Sequence, residues 1–465
     1  MGNGLVTMSN IFLSTALITL AQIEIGCHDE NIECGKVYGY KPSSLITIIG
    51  TVSGLLSAIL LPFMGAIVDC TSTRRAVGII ACILLMSVQA IQINTTQNTW
   101  FAMAILQAVN GFIFQVVALA SFSYLPEIGR LVGAETMTKY SAEWSVLMFG
   151  MEVCYLVAVI GISLGMQLDD IATGQLGQAI NVPASSVCYY LAWKFFSTKK
   201  ARRQLSDQET LIGTGFKQVF RTASGISKHY EPSLGWFLLA TTFAEAAANA
   251  FVLVAVTYLK EVMAFSASEI GILFFVVIVF TIPGSIFGAW LTRKTCPQTA
   301  MKLQLVSFIV VNFIAFILMT NRDQAKLAYF FGILWGLLLG WFYPTESLIF
   351  SMIVPEGQEA ELAGFFLYCT QILGWLPPLV FTMMNERGIP LQWGGIHLNL
   401  YLMVALLCYH FMAPWDDCIA AAQWNKMLSD ANSVSSNDSK KNLGGIEMDS
   451  LTARKGIFVN SFCVT

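Results

Sequence analysis

The sequence predicts an all-α integral membrane protein with twelve transmembrane helices in two halves of six. Three observations carry this expectation. The first is composition: of 465 residues, 55% are hydrophobic and only 12% charged, with 32 Phe and 11 Trp. That charge is about half the usual share for a soluble domain, and the mean hydropathy is +0.64. The second is the length of the apolar runs, about 20 residues each, which suits helices crossing the hydrocarbon core rather than alternating barrel strands. The third is a long basic stretch that divides the runs six and six.

Taken in order, the spans fall near 5–25, 44–68, 76–93, 101–124, 144–166 and 177–196, then 234–258, 269–291, 303–320, 327–350, 361–384 and 396–415. The first begins beside Met1 without a preceding Lys or Arg, so an uncleaved helix fits better than a secretory leader. The organisation expected is an N-terminal half over 1–196, a basic cytosolic loop over 197–232 and a C-terminal half over 233–415. A polar, Ser- and Asn-rich tail covers 416–465 and reads as disordered.

Orientation follows from the basic residues. Lys36, Lys41, Lys260, Arg322, Lys326 and Arg387 fall on one side. The other 20 of the 26 Lys and Arg fall on the side of the termini and the central loop. Both termini are therefore expected in the cytosol. Asn94-Thr95-Thr96 is then a glycosylation sequon in a short outer loop. Cys27 and Cys34 lie in the first outer loop, where they either form a disulfide or remain two thiols.

Several function classes are excluded. A net charge of −3 without a long basic run offers no nucleic-acid footprint. No phosphate-cradling GxxxxGK[ST] sequence occurs, so ATP is not an expected partner. The 11 Cys and 4 His show no metal-ligand spacing. Neither a cofactor nor enzymatic chemistry is expected.

The halves resemble one another. Pro62-Phe63-Met64-Gly65-Ala66-Ile67-Val68-Asp69 followed by Arg74-Arg75 ends the second span. Pro283-Gly284, then Gly288-Ala289-Trp290-Leu291-Thr292-Arg293-Lys294, ends the eighth. Two six-helix halves of this kind form the architecture of the major facilitator superfamily.

Charge inside a membrane is costly and tends to be retained for use. Glu24, Glu152, Glu245 and Glu346 fall within spans, and no Lys or Arg lies at their depth. Each must be protonated, hydrogen-bonded, hydrated, or paired with a cation that comes and goes, which is what proton coupling requires. Thr241, Glu245 and Asn249 recur every four residues and share one face of the seventh span. Tyr343 and Glu346 follow Gly336 and Gly340 in the tenth, where Pro344 can bend the helix. Gln107 and Asn110 mark a polar stripe on the fourth span, as Thr15, Thr19 and Gln22 do on the first. A solute and proton pathway is one reading of these groups; interhelical hydrogen bonding is the other, and for Glu346, nearer the cytosolic end, the rival is a gate ion pair. Gly65, Asp69, Arg74 and Arg75 form a candidate cytosolic gate, with topology control by positive charge as the alternative.

These residues resemble the autophagy-related vacuolar amino-acid effluxers of that superfamily. The Gly65-to-Asp69 segment with Arg74-Arg75 is similar to the family's loop motif, with one residue more than usual before the basic pair. Tyr124-Leu125-Pro126 also resembles it. So does the stretch from Gly340 through Ser351, Pro355, Gly357 and Glu359-Ala360-Glu361 to Gly364, then Gly374-Trp375-Leu376-Pro377-Pro378-Leu379. The resemblance implies efflux of neutral amino acids from a vacuole or lysosome-like compartment, an endomembrane rather than the plasma membrane, and the unpaired intramembrane acids add the expectation that protons travel with the solute. A facilitator for another small polar solute, or a non-transporting membrane sensor, remain the alternatives.

Overall fold

The computed structural model describes residues 2–26, 35–124, 128, 134–197, 211–229, 231–354 and 359–420. It is helical throughout these segments apart from one isolated bridge between Val37 and Tyr40. The N-terminal half comprises α1 (Gly2–Glu24), α2 (Leu45–Cys70), α3 (Arg74–Gln92), α4 (Trp100–Phe122), α5 (Ala134–Gly165) and α6 (Asp170–Phe195). A connector helix, α7 (Leu211–His229), lies inside the stretch read from sequence as a loop. The C-terminal half comprises α8 (Trp236–Glu261), α9 (Ala267–Lys294), α10 (Pro297–Leu318) and α11 (Ala325–Ile353). Its last two spans are each broken, into α12 (Glu359–Ile372) and α13 (Leu376–Glu386), then α14 (Leu391–Ile396) and α15 (Leu398–Phe411).

Eleven spans among the described residues are long and apolar enough to cross a membrane. The sixth expected span is present as α6, 26 residues long, but it is more polar than the others and falls outside that eleven. Its polar groups point inward: Gln178, Asn181 and Ser185 are fully buried. Asn181 donates to Gln89 of α3, and the Ser185 hydroxyl to Asn181 Oδ1 at 2.6 Å. Hydropathy alone misreads a helix that turns its polar face inward, where Asn181 and Ser185 are bonded and Gln178 has no hydrogen-bond partner among the described residues.

Local chemistry accounts for the helix ends. Ser266 and Glu269 form a reciprocal capping box at the start of α9, with Glu269 Oε2 accepting from Ser266 N at 2.9 Å. Asp169 caps α6 by accepting from Ala172 N at 2.7 Å. The break between α12 and α13 sits at Gly374-Trp375, just ahead of Pro377-Pro378, which bring no N–H donors to continue the ladder.

Burial separates core helices from lipid-facing ones. The most apolar window of α1 is 83% buried and that of α8 67%, so these two run through the centre of the bundle. By contrast α3 exposes Ile80, Ile83 and Leu84, and α10 exposes Val310, Phe313 and Ile314. Those stripes have the one-faced spacing of helices that meet acyl chains. Gly336 and Gly340 let α11 close directly onto the α9 backbone: a Cβ at Gly340 would overlap the Thr281 carbonyl, and one at Gly336 that of Val277.

A carboxyl pair between the seventh and tenth spans

Thr241 and Glu245 lie on the inward face of α8, 0% and 7% exposed, while Asn249 one turn on is exposed and donates to Thr370 O of α12 at 3.4 Å. Glu346 reaches in from α11 and is 2% exposed. The Glu245 and Glu346 carboxyls interact directly, one within hydrogen-bonding reach of the other. Two carboxylates this close repel if both are ionised, and a single shared proton converts the repulsion into a hydrogen bond. Among the described residues no Lys, Arg or His acts on either carboxyl.

The surroundings leave polar atoms unused. Glu346 Oε1, Thr241 Oγ1, the Tyr409 hydroxyl and Trp341 Nε1 are buried without a geometrically complete hydrogen bond. Thr241 lies beside Glu346, and Tyr409 of α15 is close enough to feel its charge. Tyr343 senses both carboxyls and keeps 43% of its surface exposed. Tyr409 escaped the sequence reading because nothing in the twelfth span sets this tyrosine apart from packing aromatics.

Other sequence-predicted residues lie elsewhere. Glu152 of α5 is 5% exposed and presses on α1 at Gly4, where a Cβ would overlap its carboxylate. Gln107 of α4 accepts from Gln92 Nε2 of α3 at 2.9 Å, and Asn110 Nδ2 approaches the same oxygen at 3.5 Å. Gln107 therefore joins α4 to α3 inside the N-terminal half, and Asn110 bonds within α4. Thr15 bonds back to Ile11 O at 3.1 Å, and Glu24 is exposed.

The end of the bundle opposite the connector holds two polar clusters that join the halves. Asp170 of α6 forms an ion pair with Lys260 of α8, accepts from Ala267 N of α9 at 2.7 Å, and takes the Thr19 hydroxyl at 3.2 Å. Beside it, Gln22 Nε2 donates to Glu261 at 3.0 Å. In the second cluster Glu386 of α13 accepts from Lys41 N at 2.7 Å and Ser44 Oγ at 2.8 Å, and pairs with Lys36 at 2.9 Å. The neighbouring Asn385 donates to Ser43 and Ser44 at 2.7 and 2.8 Å.

At the connector end the basic pair of α3 is held by its own half. Arg74 Nη1 approaches Ser123 O at 3.5 Å and its guanidinium lies over the Tyr124 ring, while Arg75 Nη2 donates to Trp193 O at 3.1 Å. These contacts stay within the N-terminal half. Gly65 borders a cavity between the halves. The Asp69 side chain, and Cys27 and Cys34, lie outside the described residues. Asn94 is exposed in the turn between α3 and α4. No cluster of His, Cys, Asp and Glu among the described residues is arranged to hold a metal.

Solved transporters share this arrangement. A variant of the nucleoside transporter NupG matches with TM-score 0.55 at 14% identity, covering 89% of this chain and 99% of that one. A bacterial homologue of the iron transporter ferroportin, in an inward-facing state, matches with TM-score 0.56 at 13% identity, over 88% and 96% of the two chains. The human organic anion transporter MFSD10 (TETRAN) gives TM-score 0.56 at 14% identity, over 88% and 97%. A comparison with curated proteins finds no match. The chain thus shares the fold of these solved proteins. Residues 4–415 match the family described as vacuole effluxer Atg22 like, and the chain belongs to that family.

Proposed function

We propose that this transporter moves neutral amino acids together with protons from a vacuole or lysosome-like lumen to the cytosol by alternating access. The observation that carries the reading is the Glu245–Glu346 pair, buried between α8 and α11 with no fixed cation beside it among the described residues. Protonation from an acidic lumen neutralises the pair and lowers the cost of moving it through the low-dielectric centre. Release to a near-neutral cytosol restores charge and resets the cycle. The family description supports vacuolar efflux, and the 20-to-6 distribution of basic residues supports a cytosolic connector and termini.

In this orientation the Asp170 and Glu386 clusters close the luminal side, and the cavity beside Gly65 lies toward the cytosol. The described conformation then corresponds to an inward-facing state. The test is counterflow with purified protein in liposomes, screening amino acids across an imposed pH gradient. Accumulation of a neutral amino acid that follows the proton gradient is expected. Flux indifferent to the gradient removes the coupling, and no flux of any solute removes the transport reading.

A further inference from the structure

Val52, Leu55 and Ile59 mark the outward, lipid-facing side of α2. Pro62 and Ala66 continue that side at helical spacing, yet both are buried. The connector helix α7 packs there: a Cβ at Gly215 would stand 2.4 Å from the Pro62 carbonyl oxygen. Tyr368 of α12 reaches the same stretch of α2 from the other half, donating to Ala58 O at 3.3 Å, the carbonyl that the missing N–H of Pro62 leaves free. Val219 and Thr222 of α7 border the gap beside Tyr368 and Phe365. The connector therefore lies over the seam between α2 and α12, on the outside of the bundle.

Its own outer surface carries two strips. Gly215, Thr222 and Ile226 are buried on one face. At about 100° per residue, Phe216, Phe220 and Ala223 fall beside that face, and Lys217, Arg221 and Ser224 fall beyond them. All six are exposed, Phe220 at 73%. An aromatic strip beside a basic one is the pattern of a helix lying in a membrane interface. Depth agrees, since Pro62 precedes the end of α2 at Cys70 by roughly 12 Å of helix. From there a long basic side chain can extend to the headgroups while its stem stays among acyl chains.

We propose that α7 binds anionic phospholipid of the cytosolic leaflet, with Phe216 and Phe220 in the acyl layer and Lys217 and Arg221 on the headgroup. The rings accept any lipid, and the basic strip selects a headgroup with net negative charge. Two basic side chains beside an anionic headgroup favour it about ten-fold or more. Because α7 borders both α2 and α12, lipid held there steadies the cytosolic seam in the described conformation. The inference needs only the orientation given by the basic residues and stands apart from the transport reading.

The test reconstitutes the purified full chain with photoactivatable phosphatidylserine or phosphatidylcholine, the reactive group in the acyl chain, and locates the label by mass spectrometry. The segment carrying Phe216 and Phe220 should take about ten-fold more label from phosphatidylserine. Lys217→Gln with Arg221→Gln should bring the ratio near one, whereas Lys217→Arg with Arg221→Lys should keep it. Phosphatidylserine should also raise the melting temperature of the wild type by more than that of the double Gln variant. No label on α7, equal label from the two lipids, or an undiminished preference in the double Gln variant overturns the lipid site. Equal rises in melting temperature overturn the steadying of the seam. None of these readouts depends on flux, so the transport reading stands or falls separately.

Discussion

Asp170 and Lys260 form an ion pair that joins the sixth span to the seventh, each side chain about 15% exposed. Asp170 also holds the first backbone N–H of α9, from Ala267, at 2.7 Å. Glu386 repeats the arrangement from the other half: it holds the Lys41 N–H at the entry to α2, also at 2.7 Å, and pairs with Lys36. In both cases a carboxylate of one half grips the positive end of the second helix of the other half and takes a lysine as well. The two clusters are thus related as the halves are, and together they latch one end of the bundle.

Breaking the Asp170 latch should favour opening of that end. Asp170→Asn strands Lys260 in a partly buried place and is expected to cost about 1–3 kcal/mol in the described conformation. A cysteine introduced at Thr19 should then react faster with an impermeant thiol reagent applied from the luminal side. Asp170→Asn with Lys260→Met should recover part of the lost thermal stability. An unchanged labelling rate in the single variant removes the latch role.

Glu386→Gln should act in the same direction and add to the first effect, because the two clusters share no residue. Gln keeps an acceptor for the Lys41 N–H and the Ser44 hydroxyl but loses the charge that pairs with Lys36. A smaller rise in labelling is expected than for Asp170→Asn, since Lys36 is 53% exposed and the pair is screened. The double variant should label at about the product of the two single increases.

Glu245→Gln and Glu346→Gln should each abolish accumulation driven by a pH gradient while leaving solute exchange at equal pH. The amide preserves shape and hydrogen bonding but carries no exchangeable charge, so the cycle loses its proton-dependent step. If Glu245→Gln still accumulates solute in proportion to the gradient, coupling resides elsewhere, with Glu152 the next carboxyl to examine.

Much of this was legible in the chain because membrane physics writes long, continuous signals. Apolar runs located the spans to within a few residues for most helices, and the acids at 245 and 346 stood out as charge inside spans. The connector helix was not visible as one, because its buried residues Gly215, Thr222 and Ile226 are spread through a polar segment. Asp170, Lys260 and Glu386 lie at span ends, where charge is ordinary, and only their pairing across the halves distinguishes them. Gln107 and Asn110 carried the correct polarity, but periodicity does not tell a cavity from a neighbouring helix, and Gln92 is the neighbour.

Gly340→Leu should damage the C-terminal half more than any surface change. The Cβ alone would overlap the Thr281 backbone, which has no rotamer by which to give way. Forcing α11 from α9 is expected to cost about 3 kcal/mol or more, seen as a lower melting temperature in detergent. Gly65→Leu is the matched control, since a Cβ there meets nothing within 4 Å. That variant should melt near wild type.

Tyr409→Phe separates coupling from stability. The Tyr409 hydroxyl is fully buried and has no hydrogen-bond partner among the described residues, so its removal discards an unsatisfied polar group and leaves the ring's packing on Phe237 intact. The melting temperature should stay the same or rise slightly. The same hydroxyl lies close enough to Glu346 to feel its charge, so its dipole can favour the carboxyl pair when the pair gives up its proton. A phenyl ring in its place would leave that charged state without the dipole, so solute accumulation at a given pH gradient should fall while equal-pH exchange continues. A variant that loses stability and both forms of transport together would assign Tyr409 to packing alone.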